Sequence, residues 1–272
     1  MDVHYLIPLV VAVVYVSLLF FIVFHRPWQE QHRLFAAYLI AAALWSFTDF
    51  LMRSGFFLEY KLLLFRIVTF FTIWWALQLY YFARSFLQLR KGWGVYFGYT
   101  SLVVFGALVI LGYAPPNVSF DRGTIYPVYG WWFIFYVVPL LTLVILGVYS
   151  LIKRLRVLAD PRERNKISYL IIATGLLAAF GFFSITPLAK GYPVAHVGAL
   201  FSACILTYAV MKHELVSINS VLRRGLGWAS LFVLGAGAYL LLFFLLNLLV
   251  DLELEAVTLT LATLAAAVAA VF

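Results

Sequence analysis

The sequence predicts an all-α polytopic membrane bundle of about nine transmembrane helices, with the N-terminus outside and the C-terminus inside. Three observations carry that expectation. Of 272 residues, 65% are hydrophobic and only 11% charged, and mean hydropathy is +1.03. A soluble domain of this length needs far more polar surface to clothe its core. The apolar residues gather into nine runs, most close to the roughly 20 residues that carry a helix across hydrocarbon. The short alternating segments of a membrane barrel are missing, so the spans read as helices. Lysine and arginine, finally, are shared unequally between alternate loops, which sets the orientation.

The first span, 3–24, has no basic leader and no small-residue cleavage site, so it reads as a retained anchor rather than a signal peptide. "HRPWQEQHR" separates it from 34–52, and "RSGFFLEYK" separates that from 62–83. After "RSFLQLRKG" comes 93–113, and after "APPNVSFDRG" comes 130–152, with Pro139 inside it. The basic stretch "KRLRVLADPRERNK" leads to 167–187, and "LAKGYP" leads to 194–211. The half-polar "KHELVSINSVLRRG" precedes 229–250, and "DLELE" precedes 256–272. With the N-terminus outside, the inner loops hold 14 Lys and Arg residues and the outer loops only Arg53, Lys61, Arg122 and Lys190. Asp2, Glu59, Asp121, Asp251, Glu253 and Glu255 fall outside. The net charge of +8 is therefore a topology signal and a contact to anionic head groups, not a nucleic-acid footprint. "TLATLAAAVAAVF" is still apolar at Phe272, and the expectation is that a cytoplasmic part once followed.

This divides the chain into a seven-helix block at 1–213, a connector at 214–228 and a two-helix hairpin at 229–272. In the connecting segment, Leu215, Ile218, Leu222 and Leu226 recur at spacings of three and four, while Lys212, Glu214, Asn219 and Arg223 fill the other sides. That pattern, with Arg224 beside it, reads as an amphipathic helix lying in the inner interface and serving as a signalling connector.

The block ends in "LTYAVMKHELVSINSVLRRGLGW"; the basic, Pro-containing "LADPRERNKISYLI" lies before its sixth helix and "PVAHVGALFSACILTYAVMKHEL" forms its seventh. This resembles the N-terminal seven-transmembrane sensor region of bacterial sensor histidine kinases. The resemblance implies a sensor input module in the plasma (inner) membrane, a homodimer, with two further helices and cytoplasmic kinase domains C-terminal to the block. The chain itself has no phospho-acceptor helix and no ATP-lid motif, so it is expected to be no enzyme on its own.

Ionisable groups inside spans are costly and are functional candidates. Asp49 lies four residues below Arg53, and Arg66 five residues beyond Lys61. At about 1.5 Å per residue both sit roughly 6–8 Å beneath the outer surface on neighbouring spans, at heights that allow them to pair. Such a pair would form the polar floor of an outward-facing pocket for a small lipophilic ligand, with Trp45, Trp74 and Trp75 as walls. The alternatives are a structural clamp or an Arg66 that snorkels to the head groups. His196 opens the seventh span and joins the same candidate site. The outer segment 114–129, the longest outside, reads as Pro- and Gly-rich turn chemistry with a lid as the alternative, and no strand is expected.

Several classes are excluded. No span interior holds the lysine of a retinal Schiff base, and the five histidines lie at span ends or in loops, against a bis-histidine haem. No spacing matches a zinc or di-metal site, and no cofactor is expected. Cys204 lies mid-span with no base beside it. A small-solute transporter or channel is the alternative reading, although no internal repeat appears and Pro139 has no matching break. A lipid-modifying enzyme would need convergent carboxylates, and Glu30, Asp160, Glu163 and Glu214 are scattered among basic residues.

Overall fold

Seven helices follow one another along the chain in the computed structural model, which describes residues 6–23, 30–54, 56–85, 92–121, 124–128, 130–185 and 193–213. They are α1 (Leu6–Val23), α2 (Glu30–Arg53), α3 (Lys61–Ser85), α4 (Trp93–Ile110), α5 (Trp132–Val157), α6 (Pro161–Ile185) and α7 (Val194–His213). Five of them, α2 to α6, are long and apolar enough to cross a membrane, and α1 and α7 carry shorter apolar stretches, Leu6–Phe20 and Val194–Ala209. The chain is therefore compatible with a helical membrane bundle. The described residues belong to one compact unit, Met1–Leu234. The expected eighth and ninth spans lie outside the described residues, as does the connector at 214–228.

Each of the first seven expected spans corresponds to a helix, but several helices run past their apolar stretch. Helix α5 continues through Lys153, Arg154 and Arg156 in its last turn. Helix α6 starts six residues earlier than hydropathy suggests, because its N-terminus is capped. Asp160 Oδ1 accepts the Arg162 backbone N–H at 3.0 Å, and Pro161 supplies a first-turn residue that needs no hydrogen bond. Glu163 accepts from Lys166 Nζ at 2.9 Å one turn along. Helix α4 stops at Ile110 in a Schellman motif. Gly112, at φ 81°, donates to the Val109 carbonyl at 3.1 Å, and Tyr113 donates to that of Leu108 at 2.9 Å.

Helices α1, α2, α3, α5, α6 and α7 pack in sequence, and α7 returns to α1, closing a ring; α4 lies against α3 and α5. In lipid, close packing and polar contacts must do what water exclusion does elsewhere. Glycines provide part of that closeness. A methyl group on Gly198 of α7 would collide with Phe180 of α6, and one on Gly94 or Gly98 of α4 would collide with Tyr80 or Leu77 of α3. The main core lies among α1, α2, α3, α6 and α7, with Tyr15, Phe35, Tyr38, Leu39 and Phe82 fully buried. Large apolar side chains such as Val103, Ile110, Ile145 and Phe182 face outward, as a lipid environment requires.

Between α4 and α5 the expectation of plain turns is corrected. Residues Val118–Asp121 (β1) and Thr124–Pro127 (β2) pair as an antiparallel hairpin, with Ser119 opposite Tyr126 and Phe120 opposite Ile125. The pairing leaves two residues, 122 and 123, between the strands. Strands this short, flanked by prolines, give no hydropathy signal. The neighbouring pair Trp131–Trp132 divides its roles: Trp131 is exposed, whereas Trp132 is buried and its indole N–H donates to the Val128 carbonyl at 3.0 Å.

Candidate functional site

Helix α2 presents Tyr38, Ala42, Trp45, Ser46 and Asp49 at spacings of three and four residues, so all lie along one face. Every one of these side chains is buried. The face meets α7, which opens at Pro193 and carries His196 in its first turn; the His196 N–H donates to the Pro193 carbonyl at 3.0 Å.

The centre of the site is the Asp49 carboxylate. Its Oδ2 accepts from Arg53 Nε at 2.7 Å, one turn further along α2. The same oxygen lies 3.5 Å from His196 Nδ1. Asp49 and His196 are almost sealed, with side-chain exposures of 4% and 3%, whereas Arg53 keeps 28%. The guanidinium thus reaches toward the helix end while the carboxylate stays inside, and the carboxylate orients the imidazole ring.

That ring continues into an aromatic ladder. His196 stacks on Trp45 with centroids 4.0 Å apart and planes 6° from parallel. Trp45 stacks on Trp75 of α3 at 5.1 Å and 7°. Trp75 lies near-parallel to Tyr38 at 6.2 Å, and Tyr38 to Phe82 at 6.4 Å. Phe82 in turn stacks on Phe35 at 4.8 Å. From the side, Tyr15 of α1 meets Tyr38 edge-on and donates its hydroxyl to the Ala199 carbonyl of α7 at 3.2 Å. Four helices therefore converge on one polar and aromatic column.

Of the six expected ligand-site residues, Asp49, Trp45, Trp75 and His196 come together here. Arg66 does not, and the expected Asp49–Arg66 pair is corrected. The Arg66 guanidinium instead donates from Nη2 to the Gly112 carbonyl and from Nε to that of Pro115, each at 2.9 Å. Equal depth fixes height along a helix but not the direction a side chain takes around it. Trp74, adjacent to Trp75, points about 100° away around a helix. It packs against Phe71, with centroids 5.9 Å apart, outside the ladder.

Among the expected connector residues, the backbone of Lys212 belongs to the last turn of α7. Glu214, Leu215, Ile218, Leu222, Arg223 and Arg224 lie outside the described residues. Sequence reasoning missed Arg53 as the partner of Asp49, although their spacing of four on a helix was a readable signal. It also missed Tyr38, Ser46 and Ser202, three buried polar side chains facing the column. Among the described residues, no group of His, Cys, Asp or Glu is placed to hold a metal ion. No protein-family model matches the chain, and neither a curated protein nor a solved structure is significantly similar to it.

Proposed function

We propose that the chain is the membrane-embedded input module of a two-component sensor histidine kinase. In this reading its N-terminus lies outside a bacterial inner membrane, and a homodimer passes a helix rearrangement through the connector and final hairpin to cytoplasmic kinase domains. The observation that carries the reading is the position of α7. Near its start it is held to α2 by the Asp49–His196 contact and the Trp45 stack, and to α1 by Tyr15. At its other end it leads directly into the connector. A helix of this kind is a stiff rod about 30 Å long, so a change in how His196 and Ser202 are held displaces the far end. A ligand shifts such an equilibrium only by contacting the two packings differently, and a column built by four helices offers that difference.

The alternative, a small-solute transporter or channel, needs a polar path between both faces. Unpartnered polar atoms of Ser46, Tyr38, Trp75 and Ser202 favour it over the upper half of the column. The column then runs into the stacked, fully buried rings of Phe35 and Phe82. A polar stretch that ends on stacked aromatic rings suits a sensing interface between helices better than a conduit.

The test is a chimera of the full chain with the cytoplasmic part of a reporter kinase. Trp45→Ala and His196→Gln are expected to change basal output several-fold at unchanged membrane abundance. Unaltered output in both rejects the input-module reading, and solute flux into proteoliposomes establishes the transport reading instead.

A further inference from the structure

Asp49 treats its two partners unequally. Arg53 Nε lies 2.7 Å from Oδ2, the length of a charge-assisted hydrogen bond, whereas His196 Nδ1 lies 3.5 Å from the same oxygen. The carboxylate is spent on Arg53, and the imidazole rests beside it as a neutral ring. The far side of the ring agrees. His196 Nε2 is buried and, among the described residues, has no hydrogen-bond partner. A neutral imidazole can leave one nitrogen as a bare acceptor, but an imidazolium donates from both. A second proton here would have nothing to point at.

The surroundings oppose that proton further. His196 is the third residue of α7, where free backbone N–H groups make the helix end positive and a cation is unwelcome. Arg53 already balances Asp49, so an imidazolium would leave the cluster with a net positive charge, while His196 and Asp49 are sealed at 3% and 4% exposure. The Trp45 face, stacked 4.0 Å from the ring, would attract a cation, but that attraction is small beside an unbalanced buried charge. Among the described residues no further ionisable group offsets it. Helix α1 contributes Tyr15, committed to the Ala199 carbonyl one turn along α7. The stretch of α6 around Phe180, which meets Gly198, carries no titratable side chain over 178–185. Toward α3 the column continues with Trp75 behind Trp45. This packing therefore fits the neutral ring alone, and a protonated His196 must leave it to reach water at the helix end.

We propose that His196 is an acid-operated latch: as a neutral ring clamped between Asp49 and Trp45 it holds the first turns of α7 against α2, and on taking up a proton it leaves that seat and frees them. The inference deepens the reading of α7 as the transmitting helix, names the proton as its stimulus, and rests on that reading for its biological sense. Its test needs no reporter kinase. Backbone hydrogen exchange of the full chain in detergent is followed from pH 7.5 to 4.5 and expressed as protection relative to an unfolded chain, which removes the intrinsic pH dependence of exchange. Release coupled to one proton lowers protection over 194–200 about 10-fold for each pH unit below about 6.5, the ordinary value of a histidine that has reached water. Helix α4, with no carboxylate, histidine or basic residue over 94–106, is expected to keep its protection over the same range. His196→Gln keeps a polar side chain that cannot titrate, and its profile over 194–200 is expected to be flat. Where that variant does not fold, the 15N signals of the histidine rings in the native chain decide instead, with His196 neutral for as long as 194–200 stays protected. A flat native profile, an equal fall in His196→Gln, or an imidazolium formed with protection intact overturns the proposal. A flat profile with reporter output still sensitive to Trp45→Ala leaves the input-module reading standing with another stimulus. Acid release of α7 without any effect of pH on output establishes the latch and denies it a signalling role.

Discussion

Asp49 and Arg66 occupy similar heights on neighbouring helices, and the fold treats them in opposite ways. Asp49 is enclosed, and its partners are side chains, Arg53 and His196. Arg66 is half-buried, and its partners are the backbone carbonyls of Gly112 and Pro115, where α4 gives way to the hairpin. One charge ties α2 to α7 through a polar column; the other ties α3 to a turn. The physical difference lies in what remains when the charge is removed. Carbonyls at a helix end can turn to water, whereas an imidazole between two helices cannot.

The largest expected effect follows from that difference. Asp49→Ala leaves His196 buried without its carboxylate, a loss of one partner inside the bundle that costs up to about 3–5 kcal/mol. Asp49→Asn keeps an acceptor toward both groups and is expected to cost less. Denaturant titration of the detergent-solubilised chain measures both. An Asp49→Ala penalty no greater than that of Arg66→Ala would erase the contrast drawn between the two regions.

Next comes the seam that holds α7 in place from the other side. Gly198→Ala must move Phe180, whose Cγ lies 2.7 Å from the added methyl, and overpacking of this kind costs about 1–3 kcal/mol. Gly175, on α6, has nothing within 4 Å of the same addition. Gly175→Ala is therefore expected to be neutral or stabilising by up to about 1 kcal/mol, the usual gain when a helix-interior glycine is replaced. Equal melting temperatures for the two variants would show that the α6–α7 contact is looser than its geometry.

Arg66→Ala removes two hydrogen bonds to carbonyls that can be rehydrated, an expected loss of about 1–2 kcal/mol at roughly 1 kcal/mol for each. Gly112→Ala forces a side chain into the left-handed region at φ 81°, at about 1–2 kcal/mol. The two changes act on one turn, so their double variant is expected to lose less than the sum of the singles. Additive losses in the same unfolding assay would separate Arg66 from the turn it contacts.

These comparisons also explain what could be read from residues alone. Hydropathy located the centres of α1 to α7, because about 20 apolar residues in a row mean one thing in a membrane chain. It missed the starts of α2 and α6 and the end of α5, since helices continue through Lys, Arg and Glu once past the lipid. It named Asp49, Trp45, Trp75 and His196 because ionisable and aromatic residues stand out within apolar runs, but Arg66 and Trp74, named for the same site, turn elsewhere. It could not place Tyr38 beside Ser202, or send Arg66 to Gly112, because those depend on the rotation of one helix against another. The hairpin at 118–127 escaped because four-residue strands carry no periodicity long enough to separate from a loop.

The smallest expected effect lies where α6 begins, and it measures how firmly a helix is anchored outside its apolar stretch. Asp160 Oδ1 satisfies the Arg162 N–H, and the Asp160 carbonyl accepts the Arg164 N–H at 3.0 Å. Only the first of these bonds depends on the side chain. Asp160→Ala is therefore expected to cost about 1 kcal/mol, as the loss of an N-cap does, and Asp160→Ser to restore most of it. The Glu163–Lys166 pair, with Glu163 44% exposed, is expected to contribute at most a few tenths of a kcal/mol. Hydrogen exchange over 161–166 distinguishes the two contributions. Faster exchange in Asp160→Ala but not in Glu163→Gln assigns the anchoring of this turn to the cap. The reverse order would mean that charge pairing holds α6 above the membrane, and the polar column would then not be the strongest place where paired side chains set the packing.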